Sequence, residues 1–203
     1  MMNLGELVSD FAVGMGAVDA RRPQAQNART GAPYQPGLGP HTESRTVALV
    51  MAELQAAWPE RYGGRVRLEV PYPAAPRSKC DLCVDYDGAG WAVEMKMLRL
   101  MGDNGKPNDN ILTHILSPYP AHRSALTDCE KLLVSGLGGR KAIVIFGYEY
   151  KGWPMEPAVV AFETLAAARV ELGSREMAEV GGLVHPVHQR GRVLGWEVRP
   201  RAG

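Results

Sequence analysis

Apolar and polar residues alternate along two neighbouring segments near the middle of the chain. The runs Leu82 to Tyr86 and Trp91 to Leu98 have the two-residue period of strands with two different faces. Residues 87–90 between them read Asp-Gly-Ala-Gly, which is typical of a hairpin loop. We therefore predict a β-hairpin in which Tyr86 lies opposite Trp91.

This register places three charged residues on one face of the hairpin. Cys83 is then opposite Glu94 and Asp81 is opposite Lys96, and residues two apart along a strand share a face. Burying two carboxylates and an ammonium group is costly unless they pair with one another or hold a metal. The pattern favours a functional site at Asp81, Glu94 and Lys96. A solvated strand face, with Asp81 as a turn residue, is the alternative, and Asp85 is the rival aspartate.

A period of three to four residues predicts a helix over residues 42–58, with Thr42 as its N-cap. Val47 and Val50 belong to its apolar stripe, and Glu43 lies on the same stripe at the start of the helix. A carboxylate that points inward needs a partner. The alternative is a glutamate favoured by the helix dipole alone.

The order of the predicted elements indicates an α/β fold with a mixed sheet. The remaining elements are a helix over residues 3–19, a strand near 65–70, a helix over 121–133, a strand over 142–146, a helix over 155–172, and a hairpin of 180–185 with 193–198. Residues 21–40 are rich in proline and glycine and predict an extended linker. We therefore predict an N-terminal helix and arm, residues 1–40, and one domain, residues 41–203.

Composition limits the function classes. Three cysteines, an odd number, favour a reducing cytoplasm over a disulfide framework. No apolar run is long enough to span a membrane, and residues 1–20 lack a signal-peptide pattern. The net charge of +1 does not indicate nucleic acid, yet 17 of the 23 basic residues are arginine, which suits phosphate and guanine contacts. We predict a cytoplasmic protein without a membrane partner.

The spacing of the charged residues resembles that of a known family. Asp81, followed by Glu94-Met95-Lys96 on the next strand, is similar to the motif of the PD-(D/E)XK superfamily, the restriction-endonuclease-like nucleases. The resemblance covers roughly residues 41–150, and Cys80 stands where the motif has a proline. It implies a restriction-endonuclease-like core, in which helices flank a central mixed β-sheet.

The resemblance also implies roles for individual residues. Asp81, Glu94 and Lys96 are the implied catalytic residues, and Asp81, Glu94 and Glu43 are the implied metal ligands. Two carboxylates offer hard oxygen ligands to Mg²⁺, with Mn²⁺ as a substitute, and a lysine can neutralise charge on the phosphate. Asp128 and Lys131 match a helix that packs over the sheet in this family; a surface salt-bridge face is the alternative.

The function implied is a magnesium-dependent DNA endonuclease, most like a type II restriction enzyme. Its partner is double-stranded DNA, and a chain with one such site commonly cuts both strands as a homodimer. The long polar segment of residues 99–120 follows the Lys96 strand directly and is typical of a functional loop. Its candidate DNA-binding residues are Asn104, Lys106, Asn108 and Asn110.

Two other functions stay open from the sequence. One is a non-catalytic DNA-binding or assembly module with a nuclease-like fold. The other is a zinc-stabilised interaction domain, because Cys80-x-x-Cys83 and His185-x-x-His188 together supply four possible zinc ligands.

Overall fold

The computed structural model describes residues 2–85 and 90–201. In chain order its elements are α1 (Leu4–Ala20), α2 (Glu43–Ala57), α3 (Pro59–Tyr62), β1 (Val66–Tyr72), β2 (Ala75–Val84), β3 (Trp91–Arg99), α4 (Thr113–Leu116), a 3₁₀ turn (Pro120–His122), α5 (Ala125–Leu133), β4 (Arg140–Glu149), α6 (Glu156–Ala167), β5 (Glu171–Leu172), β6 (Glu176–Gly181) and β7 (Arg190–Arg199). None of the described helices has the length and apolar character needed to cross a membrane.

One mixed sheet of seven strands organises the fold. Its strand order is β1-β2-β3-β4-β7-β5, and β6 also pairs with β7. β3 and β4 run parallel, and the other paired strands are antiparallel. A parallel pair needs a crossover connection, which here contains α4 and α5. The prediction of an α/β fold, with helices flanking a mixed sheet, is confirmed.

Hydrophobic clusters cover both faces of the sheet. In β4, Val144 and Phe146 join the cluster that contains α1 and α2, whereas Ile143 and Ile145 join the cluster that contains α5 and α6. This alternation follows from the two-residue period of a strand. β4 reads as a continuous apolar run because helices bury both of its faces.

The register of β2 against β3 differs from the predicted one by two residues. Val84 pairs with Trp91, and Cys83 pairs with Ala92. The predicted pairings of Cys83 with Glu94 and of Asp81 with Lys96 are therefore wrong, and Tyr86 and most of the predicted loop lie outside the described residues. The observed register aligns two buried apolar side chains, those of Val84 and Trp91, in one cluster. A shift of two leaves every side chain on its predicted face.

Two predicted helices have different bounds in the structure. The helix expected over residues 121–133 begins at Ala125, because the Ser124 side chain caps it by accepting from the Thr127 backbone N–H. The helix expected over residues 155–172 ends at Ala167, and Glu171–Leu172 instead form β5 against β7. β6 and β7 form a hairpin near the C-terminus, as predicted, but its first strand is Glu176–Gly181 and not residues 180–185.

α1 begins with a capping box formed by Asn3 and Glu6, and it packs in the same cluster as α2 and the sheet. Near its end, Asp19 is 1% exposed. The Asp19 carboxylate accepts from the Leu38 N–H at 2.7 Å and from the Val184 N–H at 2.5 Å. This side chain ties α1 both to the segment that leads into α2 and to the turn between β6 and β7.

We predict that Asp19→Ala lowers the free energy of unfolding by about 3 kcal/mol, because it leaves two buried N–H groups without an acceptor. Urea denaturation followed by circular dichroism measures the change. Asp109→Ala, at an exposed position, is the matched control and should cost less than about 0.5 kcal/mol. Equal stability of the two variants would contradict the anchoring role of Asp19.

Candidate active site

The backbone of β3 leaves its partner strand where the charged residues lie. The pairing of β2 with β3 extends from Val84 to Leu82. Beyond it, the Met95 N–H donates to Asp81 Oδ2 at 2.8 Å, and the Met97 N–H donates to Glu43 Oε2 at 2.6 Å. Two carboxylates thus replace the carbonyl acceptors of a neighbouring strand, and these hydrogen bonds hold Asp81 and Glu43 beside β3.

The side chains of β3 meet charged residues of α5. Lys96 Nζ lies 2.7 Å from Asp128 Oδ2 and 3.7 Å from Glu43 Oε1. Lys131 Nζ lies 2.8 Å from Glu94 Oε1 and 2.6 Å from Asp128 Oδ1. Positive and negative groups alternate through this network, so each charge has an opposite neighbour.

α5 presents Asp128 and Lys131 three residues apart, which places both on one face of the helix. Asp128 is 2% exposed, so the alternative of a surface salt-bridge face is wrong for this residue. Tyr72, at the end of β1, donates its hydroxyl to Glu94 Oε1, and Lys131 Nζ lies 5.2 Å from the Tyr72 ring centroid. Glu94 therefore receives both a hydroxyl and an ammonium group.

Burial and crowded charge change the proton affinities in this network. Burial raises the pKa of Glu94 to about 9, and the neighbouring Asp81 and Asp128 carboxylates act in the same direction. Burial also raises the pKa of Glu43. For Lys96, burial lowers the pKa, but Glu43 and Asp128 outweigh it and the net shift is upward. Near neutral pH, Glu94 holds a proton and Lys96 is charged.

A cleft of about 890 Å³ opens beside the network. Its lining also includes basic and imidazole side chains, namely Arg77, Lys79, His114, His122 and Arg123. Within the network, four carboxylates (Glu43, Asp81, Glu94 and Asp128) face the two ammonium groups of Lys96 and Lys131. With all six groups ionised, the excess is two negative charges, which equals the charge of one divalent cation.

The carboxylates match the donor set that Mg²⁺ prefers, because all of their ligand atoms are hard oxygens. The ammonium of Lys131 bridges Glu94 and Asp128, so it supplies the positive charge between these two carboxylates. Cation binding there requires Lys131 to release Glu94, and Glu94 to lose its proton. Once Lys131 has moved away from Glu94 and Glu94 has lost its proton, the carboxylates fit a divalent cation.

The structure brings Glu43, Asp81, Glu94 and Lys96 to one cleft. The rival, Asp85, is exposed and pairs with the Arg67 guanidinium at 2.7 Å, outside the lining of the cleft. The sequence did not reveal the contact of Tyr72 with Glu94, nor the direct contact of Lys131 with Glu94. The helix motif was a signal for Lys131, whereas nothing in the sequence singled out Tyr72.

The loop residues predicted to contact DNA do not line the cleft. Asn108 Nδ2 donates to the Arg99 carbonyl at 2.7 Å, and Asn104 Oδ1 accepts from the Lys106 N–H at 3.0 Å. These two side chains brace the turn after β3, and Asn110 adopts a left-handed φ of 61°. Lys106 and Asn110 are exposed. A DNA-binding role for the four residues stays a prediction.

Asp103, His185 and His188 form a buried group that could hold a metal ion. The two histidines are the pair singled out for zinc, but Cys80 and Cys83 take no part in the group. Cys80 Sγ contacts the Val93 carbonyl at 3.3 Å inside the sheet. The four-residue zinc set is therefore not formed within residues 2–85 and 90–201.

No protein-family model, curated protein or solved structure matches this chain. The cleft and its charges are therefore the basis for assigning a function. Among the groups described above, the network around Glu94 combines a large cleft, buried charge and a shifted pKa, which is the combination expected of a functional site.

We predict that the stability of the metal-free protein falls as the pH rises between about 7 and 9, above the range in which the buried histidines titrate, because folded Glu94 keeps a proton that the unfolded chain has lost. Glu94→Gln cannot ionise, so it should flatten this slope. Melting temperatures measured across this range with a chelator test the prediction. Glu60→Gln, at an exposed position, is the control and should follow the wild type. If the melting temperatures of wild type and Glu94→Gln changed in parallel with pH, Glu94 would not hold a proton in the folded protein.

Proposed function

We propose that this chain is a magnesium-dependent DNA endonuclease with a restriction-endonuclease-like core, most like a type II restriction enzyme. One observation carries the proposal: Asp81 on β2 and Glu94 and Lys96 on β3 line one cleft, and Glu43 at the start of α2 joins them. Their residue types and order along the chain are those of the PD-(D/E)XK motif. The burial of Glu94 and Lys96 argues against a solvated strand face.

Asp81, Glu94 and Glu43 would hold Mg²⁺ or Mn²⁺ through their carboxylate oxygens. When bound, such an ion polarises the phosphate and lowers the pKa of a coordinated water. Glu94 must give up its proton to act as a ligand, so the affinity for the ion should rise with pH up to about 9. Asp81 and Glu43 are held in place by the Met95 and Met97 N–H groups.

Lys96 would stabilise the negative charge that develops on the scissile phosphate. Its ammonium stays protonated, because Glu43 and Asp128 raise its pKa above the usual lysine range. Asp128 Oδ2 holds the ammonium at 2.7 Å, which restricts the orientation of a flexible side chain before substrate binds. A preorganised cation that is itself buried acts strongly on developing charge.

The rim of the cleft suits a polyanion. Arg77, Lys79 and Arg123 line it and can contact phosphates on either side of the scissile bond. Double-stranded DNA has two strands to cut, so we include a homodimer in the proposal. Asn104, Lys106, Asn108 and Asn110 remain candidates for DNA recognition, although they lie outside the lining of the cleft.

One observation favours a second candidate, a non-catalytic DNA-binding or assembly module. The Lys131 ammonium already bridges Glu94 and Asp128, as a structural ion network would. In such a module the lysine keeps this place and the protein binds DNA without cutting it. Cleavage assays with matched binding measurements separate the two functions.

We predict that Asp81→Asn and Lys96→Ala each lower the rate of DNA cleavage at least about 100-fold, because each removes an electrostatic contact to the reacting phosphate or its metal ion. Plasmid and phage DNA incubated with Mg²⁺, followed by mapping of the ends, measure the rate. Asp85→Asn is the matched control on the same segment and should cleave like the wild type.

Circular dichroism and a DNA-binding assay accompany these variants, so that loss of cleavage is separated from loss of folding. Both variants should stay folded and keep most of their DNA affinity. Wild-type cleavage by either variant would remove Asp81 or Lys96 from the reaction. Binding without cleavage by the wild-type protein on every substrate would favour the non-catalytic module.

We predict that Mg²⁺ and Mn²⁺ support cleavage and that Ca²⁺ does not, because Ca²⁺ is larger and takes more ligands in an irregular geometry. Adding Ca²⁺ to a Mg²⁺ reaction should inhibit it in proportion to the two concentrations. A titration of each ion in the plasmid assay checks this. Undiminished cleavage in the presence of a strong chelator would rule out a metal-assisted reaction.

A further inference from the structure

Three buried ligand atoms converge just beyond the end of β3, outside the cleft. Asp103 Oδ1 lies 3.6 Å from His188 Nδ1 and 3.8 Å from His185 Nε2. The three atoms lie within 4.8 Å of one another, and none has a hydrogen-bond partner. His185 is 0% and His188 1% exposed. Unpaired polar atoms are costly in an interior, so three at one point indicate a ligand between them.

The surroundings of His188 orient one ring nitrogen for a ligand. His188 Nε2 is 2.9 Å from the Met101 carbonyl, which assigns the ring proton to Nε2 and leaves a lone pair on Nδ1. The His185 and His188 rings stack with centroids 4.5 Å apart. Gly39 packs against the same nitrogen: a Cβ at this position would lie 2.2 Å from Nδ1 and would obstruct it.

We propose that Asp103, His185 and His188 bind a zinc ion, with a water molecule as the fourth ligand. Zinc bonds to nitrogen and oxygen are about 2.0–2.2 Å long, so two ligand atoms of a tetrahedral site lie about 3.4 Å apart. The observed 3.6 and 3.8 Å from Asp103 are close to this value, and the two histidine nitrogens, which lie within 4.8 Å of each other, complete the set. The Asp103 side chain is 20% exposed, so water reaches the ion from that side.

The donor set favours zinc over the magnesium proposed for the cleft. Imidazole nitrogen suits zinc and its neighbours among the transition metals, whereas Mg²⁺ prefers oxygen ligands and water. Burial lowers the pKa of both histidines, that of His188 to about 4, so both rings are neutral near pH 7. The neutral imidazole is the form that binds metal.

Two features of the structure lower the expected affinity for zinc. Arg99 Nη1 lies 3.8 Å from Asp103 Oδ1, and its charge repels a cation. His185 Nδ1 accepts long hydrogen bonds from the N–H groups of Val187, at 3.2 Å, and His188, at 3.4 Å. Zinc on Nε2 moves the ring proton to Nδ1, so these two hydrogen bonds must open. We therefore expect a change in the 185–188 turn on binding.

The ion would link parts of the chain that are distant in sequence. Asp103 follows β3, which carries Glu94 and Lys96, and the two histidines lie on the turn between β6 and β7. Gly39, against His188, lies in the segment that leads to Glu43 at the start of α2. Zinc would therefore act as a structural clamp between these segments, and its binding does not rest on nuclease activity.

The test begins with the metal content of the full-length chain, expressed with zinc and then dialysed. Inductively coupled plasma mass spectrometry should find about one zinc ion per chain. Added zinc should raise the melting temperature of the metal-free protein. Cobalt(II) in its place should give the visible absorption of a tetrahedral site, and zinc should shift the backbone amide resonances of Val187 and His188.

Asp103→Asn should reduce bound zinc at least tenfold and abolish the rise in melting temperature, and His188→Gln provides a second ligand variant. Asp109→Asn, an exposed change in the same loop, and Asp81→Asn, in the cleft, should both keep the zinc. Absence of bound zinc together with no stabilisation of the wild-type protein overturns the proposal, whether or not the variants fold. Zinc lost with Asp81→Asn but kept by Asp103→Asn would place it in the cleft and overturn it equally.

Discussion

The candidate active site depends on two backbone N–H groups that have no partner strand. β2 separates from β3 beyond Leu82, and the N–H groups of Met95 and Met97 then donate to the carboxylates of Asp81 and Glu43. Buried backbone donors must find acceptors, so the sheet itself holds these side chains beside Lys96. The separation of the strands also opens the cleft that they line.

Charge in the cleft is balanced within the network instead of by solvent. Gathering four carboxylates, two of them buried, is unfavourable, and a proton on Glu94 and the ammonium groups of Lys96 and Lys131 relieve the repulsion. In the proposed function, the proton on Glu94 and its contact with Lys131 give way to a divalent cation, whereas Lys96 stays charged. Burial raises the pKa of Glu94 and the excess of negative charge raises it further, and the same excess favours the proposed binding of Mg²⁺.

β3 connects the cleft to the proposed zinc site. Glu94 and Lys96 lie in its middle, and the chain reaches Asp103 shortly after its end. The segment before α2 is tied to α1 and to the end of β3, because the Asp19 carboxylate accepts from the Leu38 N–H and the Arg99 guanidinium donates to the Gly39 carbonyl. Gly39 also packs against His188, so the proposed zinc site adjoins the segment that leads to Glu43.

The sequence by itself determined the α/β order of elements and the common face of Asp81, Glu94 and Lys96. Side chains alternate between the two faces of a strand, so a register shift of two residues leaves each side chain on the same face. It did not determine the register, which depends on packing Val84 against Trp91 in the core. Only the tertiary structure decided the contacts made across elements: those of Tyr72 and Lys131 with Glu94, and of Asp103 with His185 and His188. Such contacts join residues far apart in the chain, and a local pattern of hydrophobicity carries no information about which distant side chains meet.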